Sequence, residues 1–449
     1  MKKTIKSVLS KKGFEDHKAP VSRRDFVKLG LLAGGGALMP ASLMNRAYAA
    51  TAAKPTVPFL VFDLAGGASL PGNFLVGKKG GPEDFCDYTK HGWNPRANSL
   101  DKTFGIPMAA GVSQMLAGLK STLPAALQSP AQNQFKMGSF CHFSLSDNAD
   151  NPTSALTLMS AAGSTGKYQR NGLGQRSSAS GGNSAPYLTD SRYRPQALFR
   201  FEDILSLIKI GPGFDGLAKS DRRKVLEALV RSAAGDQNLE AQYRQLFEMG
   251  SDPGAVDVRL NRQISALYNV DPNAQDSAEL LESGIIYNVL QGNTGPGAIT
   301  IDGCDYHDNT GTTGDAKDLE IGRAIGRAVH SAYLLGKPLF FQVISDGGIQ
   351  TPVSQNFERV WEADENLHTL SVIGYFDPRK QVEQVRQQVG SYGAGGQVDL
   401  DTFMGKGTDK MVLGVLANYL NVQGQLGRIN EITGQRPTKE ELEKLLIFA

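Results

Sequence analysis

The chain has 449 residues, a formal charge of +2, 40% hydrophobic residues and 20% charged ones. That composition is globular and carries enough apolar material for a sizeable core, which excludes collagen, coiled coil and wholesale disorder. The length allows two or three ordinary domains or one large one, and 51 glycines, above the usual share of about 7%, predict many tight turns.

The first element is a leader. Ser22-Arg23-Arg24-Asp25-Phe26-Val27-Lys28 matches the twin-arginine export pattern, an apolar stretch follows over 29–44, and Ala47-Tyr48-Ala49 forms a small-x-small cleavage site. A transmembrane anchor would need an unbroken run of about 18 or more apolar residues, and this run holds four glycines, a proline and a serine. Residues 1–49 are therefore expected to engage the twin-arginine export machinery and send the remainder to the periplasm. They carry ten basic and three acidic residues, a charge of +7, which leaves −5 on the mature chain. A mildly acidic protein lacks the positive field that nucleic acid requires. No mature segment has 18 consecutive apolar residues, so the processed chain is not expected to be an integral membrane protein. Three cysteines, Cys86, Cys141 and Cys304, show no C-x-x-C spacing, which allows one disulfide at most or three buried small side chains.

The mature elements alternate. Residues 57–64 are nearly continuous Val, Phe and Leu, a strand buried on both faces. Residues 111–127 have helical spacing, 135–143 read as a strand, and Asn151-Pro152 opens a helix to about Ala162. A Gly/Ser/Asn-rich loop covers 163–186, and 220–290 is mostly helical, the core of a helical insertion placed at about 203–292. Strands follow at 298–301, 339–344 and 370–376. Helices are expected at 315–335, 378–388, 409–424 and 438–447. This order predicts one α/β domain over 50–449, a mainly parallel sheet between helices.

Ligands of open α/β sheets bind beyond the carboxyl ends of the strands. Asp63, His142, Asp305 with His307, and Asp346 stand at four such ends, and His368 just precedes the 370–376 strand. Converging carboxylates and imidazoles suit Zn²⁺ or Mn²⁺, and Ca²⁺ or Mg²⁺ where oxygen dominates. Each also has a local explanation: Asp63 and Asp346 precede glycine pairs and would cap turns, and His142 would be a bonded core histidine. Thr153 and Ser154 are the candidate nucleophiles, because a helix start favours an anion; ordinary first-turn bonding competes, and Ser69 is weaker. Neither G-x-S-x-G nor G-x-G-x-x-G is present at the required place, so serine hydrolase and dinucleotide readings have no support. Arg323, Arg327 and His330 line one side of helix 315–335 and read as a solvated face.

Taken in order, Asp63-Leu64-Ala65-Gly66-Gly67, Cys141-His142-Phe143, Gly303-Cys304-Asp305-Tyr306-His307-Asp308, Ser345-Asp346-Gly347-Gly348 and Asn366-Leu367-His368-Thr369 form a pattern. It resembles an uncharacterised family of twin-arginine-exported bacterial proteins, some of which carry the name general secretion pathway protein. That family is similar to the alkaline-phosphatase-like superfamily. The resemblance implies one large α/β domain and hydrolysis of phosphate or sulfate esters at a divalent metal site. It implies Asp63, Asp305, His307 and Asp346 as ligands, His368 as a further one, and Thr153 or Ser154 as nucleophile. The superfamily usually has Asp-His-Gly where this chain has Asp346-Gly347-Gly348, and no hydroxyl stands in an unambiguous nucleophile motif. Two functions are expected to compete: a degenerate, non-catalytic envelope protein with a protein partner, and a metal-dependent ester hydrolase.

Overall fold

The computed structural model describes residues 56–129, 131–144, 154–175, 193, 195–206, 256–306, 311–350, 360–362 and 364–449. The leader, Asn151-Pro152 and Thr153, His307, the 176–186 part of the glycine-rich loop and residues 207–255 of the expected helical insertion lie outside the described residues. The compact unit formed by Ala53–Leu207 with Gly254–Ala449 contains all that is described.

The elements in chain order are β1 (Phe59–Gly67), β2 (Leu100–Asp101), β3 (Met108–Ala109), α1 (Gln114–Thr122), β4 (Phe135–Cys141), α2 (Leu156–Ala161), β5 (Leu173–Gly174), β6 (Gln196–Ala197), α3 (Phe201–Ser206), α4 (Arg262–Leu267), α5 (Ala278–Leu290), β7 (Gly297–Ile301), α6 (Gly311–Leu334), β8 (Leu339–Ile349), β9 (Asp364–Glu365), β10 (Leu370–Phe376), β11 (Gln388–Val389), α7 (Thr408–Asn421), α8 (Ile429–Thr433) and α9 (Lys439–Leu445). A nine-stranded sheet runs β11-β4-β10-β8-β1-β7-β5-β6, with β9 paired to the end of β8. Five of its pairings are parallel, and β10 runs antiparallel to both β4 and β8. The fold is α/β, with a mixed and mostly parallel sheet flanked by helices.

β1 is central because both its faces are apolar. Phe59 and Val61 point to one face, where they join Phe340 and Ile344 of β8 and Leu156 and Met159 of α2. Leu413, Leu416 and Tyr419 of α7 complete this core. Leu60 points to the other face, where α5 stands so close to the sheet that a Cβ on Gly297 would lie within 3.0 Å of Val289, Ile285 and Leu60. α6 packs beside α5 through Arg327 and Glu282. It meets α1 at backbone contact: a Cβ on Gly322 would fall 2.0 Å from the Met115 carbonyl, and one on Gly118 2.2 Å from that of Leu319. α1 is capped by Ser113, α5 by Ser277, and α9 by a reciprocal Thr438–Glu441 box.

Four expectations need correction. Residues 378–388 are not helical: Asp377 ties Arg379 into a local turn, and the segment runs on to β11 beside β4. The helix expected over 111–127 is shorter, because Pro124 follows its end at Thr122. The strand of 339–344 does not stop before Asp346; it continues to Ile349 because Gly348 and Ile349 pair with β9. The Arg327–His330 side of α6 is an interface with α5 and α1, where Arg327 pairs with Glu282 and His330 Nδ1 bonds the Thr122 carbonyl 2.8 Å away.

Candidate functional site

The carboxyl ends of β1, β4, β7 and β8 lie at one edge of the sheet, and the antiparallel β10 begins there. His142 and His368 therefore stand at the edge that strand order anticipated, whereas Asp63 and the backbone of Asp346 lie within their strands, because β1 continues to Gly67 and β8 to Ile349. Asp63 is fully buried. It shares the parity of Phe59 and Val61, which aims it at the face covered by α2. In register, it stands beside Ile344 of β8 and Thr300 of β7.

The turn after β1 is held from three sides. Ser345 Oγ accepts from Ala68 N at 2.8 Å and donates to the Gly66 carbonyl at 3.1 Å. Cys304 N donates to the Ala65 carbonyl, so the segment after β7 folds back on the turn. Gly66 sits at φ +101°, and a Cβ there would meet Asp305 Cβ at 2.5 Å, so only glycine allows this approach. Asp305 itself is exposed beside the turn. From below, Tyr306 Oη accepts from Ser69 N at 2.7 Å and donates to Asp318 Oδ1 at 2.8 Å. Asp318 Oδ2 accepts from Asn73 Nδ2, and Asn73 Oδ1 accepts from Ser113 Oγ. All five residues are buried. This network pins both loops of the edge to α6 and α1.

The nucleophile candidates divide. Thr153 lies outside the described residues. Ser154 is buried, its Oγ accepts from Leu156 N at 3.0 Å, and the six-residue α2 starts two residues after it. Ala155 N donates to Gln342 Oε1 of β8 at 3.0 Å, which fixes this end of α2 on the sheet. Ser69 Oγ is buried without a hydrogen-bond partner, while the backbone around it is fully engaged.

His142 is a bonded core histidine. Its Nδ1 lies 3.1 Å from the Phe143 carbonyl and its Nε2 2.8 Å from Ser371 Oγ. The carbonyl requires the Nδ1 proton, so Nε2 accepts from the Ser371 hydroxyl. Burial pulls the imidazole down to about 4, partly offset by the carbonyl bond, so it is neutral near pH 7.

The histidine that sequence reasoning passed over is His91. It lies in the long loop between β1 and β2, where no hydrophobic period marks it; the available signal was a histidine among Tyr88, Trp93 and Pro95 in a loop. Its ring is 5.5 Å from that of His368, 4.6 Å from Tyr88 and 5.5 Å from Tyr392, measured between centroids. Burial, with His368 second, holds His91 down at about 3; burial, with Lys90 second, holds His368 at about 4. Cys86 is half-buried, its thiol raised to about 11 chiefly by burial; Cys141 and Cys304 are also unbridged and raised by burial.

Among the described residues no three His, Cys, Asp or Glu side chains converge on a point that would hold a metal ion. No helix among them is long and apolar enough to cross a membrane. Comparison with family models, curated proteins and solved structures finds no significant match, and the geometry by itself shows the α/β fold with its mostly parallel mixed sheet.

Proposed function

We propose that the protein is an exported component of the cell envelope that has an alkaline-phosphatase-like body, its strand-end polar groups serving structure and partner binding in place of ester hydrolysis. The observation that carries this reading is the course of β8. Where the superfamily pattern has Asp-His-Gly, the chain has Asp346-Gly347-Gly348, and these residues continue a strand to Ile349. Ser345 is spent on the turn after β1, and Ser154 on the start of α2. A Cβ at Gly347 would meet nothing within 4 Å, so crowding does not account for a missing histidine there. Export rests on Arg23-Arg24 and the Ala47-Tyr48-Ala49 site.

The second reading, a metal-dependent phosphate or sulfate ester hydrolase, is favoured by one feature: Asp63, a fully buried carboxylate in the central strand, four residues before its carboxyl end. In that reading Asp63, Asp305, His307, Asp346 and His368 hold a Zn, Mn, Mg or Ca ion, and Thr153 or Ser154 faces the ester. The ion would polarise a phosphoryl or sulfuryl oxygen. The two readings part in one assay of purified mature protein with aryl phosphate and aryl sulfate esters and each of the four ions. The expected result is no turnover above an Asp63→Asn control. Turnover that Asp63→Asn abolishes overturns the first reading in favour of the second. Export is tested separately: an Arg23→Lys, Arg24→Lys double variant should stay in the cytoplasm, and normal export of that variant removes the localisation.

A further inference from the structure

The loop after β1 forms a cleft of its own. Residues between Lys78 and Arg96, with Ala394, line a space of about 400 Å³, within the range of about 300–1,000 Å³ that small-molecule sites occupy. Its wall is apolar. Tyr88 and Trp93 are buried in a small cluster with Leu75 and Ala109, and the half-buried Phe85 and Cys86 pack against it. Trp93 Nε1 donates to the Pro71 carbonyl, and Tyr88 Oη donates to that of Phe74 while accepting from Val76 N. Both rings therefore have their polar atoms met within the protein.

Charge is what this cleft leaves unmet. Lys78, Asp87 and Arg96 line it, and Lys78 is committed to Asp84 at 3.1 Å. The Arg96 guanidinium lies 5.8 Å from the centroid of the Phe85 ring and pairs with no carboxylate among the described residues. Asp87 Oδ1 accepts from the Thr89 hydroxyl at 2.7 Å and the Thr89 N–H at 3.1 Å, which leaves Oδ2 open. The Thr89 hydroxyl first, then its N–H, holds the Asp87 carboxyl below its ordinary value, so it is ionised near pH 7. Asp87 and Arg96 thus stand in one cleft as opposite charges that do not pair with each other. Their backbones are fixed. Asp87 N donates to the Ala394 carbonyl at 2.9 Å, and Gly396, at φ +78°, permits an approach in which a Cβ would fall 2.2 Å from the Asp87 carbonyl. Asn94 Oδ1 accepts from Arg96 N, and Asn98 Oδ1 from Asn94 N, a pair of local turns that sets the Arg96 backbone.

We infer that this cleft binds a free α-amino acid with an apolar or aromatic side chain, Arg96 taking its carboxylate, Asp87 its ammonium, and the wall of Phe85 and Trp93 its side chain. A guanidinium presents paired donors that match a carboxylate, and a carboxylate oxygen accepts from an ammonium. A sugar would need a partner for each of its hydroxyls, and Thr89, Tyr88 and Trp93 already have theirs within the protein. A simple anion would meet Arg96 but be repelled by Asp87. The inference does not depend on either reading of the sheet edge at Asp63.

The test is calorimetric titration of the purified protein with L-phenylalanine, with 3-phenylpropanoate, which lacks the ammonium, and with 2-phenylethylamine, which lacks the carboxylate. L-Phenylalanine should bind at least about tenfold more tightly than either. Arg96→Gln should weaken L-phenylalanine by a similar factor and leave 2-phenylethylamine unchanged. Asp87→Asn, which keeps an acceptor for Thr89, should weaken L-phenylalanine and not 3-phenylpropanoate. Both side chains are exposed, and thermal unfolding checks that both variants fold. Bound L-phenylalanine should also slow alkylation of Cys86, which lines the cleft and is the one cysteine that is not buried. No binding of L-phenylalanine at millimolar concentration overturns the inference, as does 3-phenylpropanoate or 2-phenylethylamine binding as tightly as L-phenylalanine, or unchanged affinity for it in either folded variant. Binding that leaves the alkylation of Cys86 unchanged also overturns it, by placing the amino acid elsewhere.

Discussion

Two buried polar regions of this molecule are built on opposite principles. Around α6, polar atoms meet one another: Tyr306 bridges Ser69 and Asp318, Asn73 bridges Asp318 and Ser113, and Arg327 grips Glu282 with two bonds of 2.7 and 2.9 Å. At His91, packed against the rings of Tyr88 and Tyr392, an equally buried Nδ1 has no hydrogen-bond partner. The contrast teaches what bonding fixes and what packing fixes. A bonded network in a low-dielectric interior specifies one arrangement of loops, although it leaves Ser69 Oγ unmet, whereas the His91 loop is set by the close approach at Gly396 and by one ring bond.

That distinction can be broken in several places. The largest effect is expected at Arg327→Ala, which strands the nearly buried Glu282 carboxylate in the α5–α6 interface. Such losses run to about 3–5 kcal/mol, read as a drop in urea-unfolding free energy. Stability near the fold's own value would mean that the α6 side is not tightly specified. Next is acid. His142 is held at about 4, below the ordinary value of about 6.5, so between these values the unfolded chain takes up a proton that the folded chain refuses. Its contribution is present above about pH 6.5 and lost as pH falls toward 4, a change of up to roughly 3 kcal/mol. His142→Gln should reduce that slope by about one proton's share in unfolding curves collected from pH 7 to pH 4, His91 and His368 supplying shares of their own; an unchanged slope would show that His142 is not the neutral core group described.

Tyr306→Phe removes one acceptor and one donor and should cost about 2 kcal/mol. It should also speed amide hydrogen exchange at Ser69, a change that loss of packing elsewhere would not confine to that residue. The smallest effect is expected at Ser345→Ala, about 1 kcal/mol, with faster exchange at Ala68. A larger loss there would mean that the turn after β1 supports more of the fold than these two bonds.

The strands of this protein were legible because continuous Val, Phe and Leu runs bounded by turn residues leave few alternatives. β1, β4, β7 and β10 stand close to where periodicity puts them. The 378–388 error came from judging helix by composition where Asp377 bonds locally to Arg379, a competition that propensity does not register. The edge at which His142 and His368 stand was legible for a topological reason: parallel strands share a carboxyl end, and the antiparallel β10 brings its first residues to it. His91 was not legible, because its meaning lies in which atoms surround it.

By itself the chain determined its α/β class, its buried strands and most of its longer helices, since these follow from short-range period and local bonding. Tertiary structure alone decided that Asp318 is a network hub, that Gly118 and Gly322 are points of helix contact, and that His91 faces His368 across a loop fixed by Gly396. Those facts join residues tens to hundreds of positions apart, and a local pattern carries no record of distance through space.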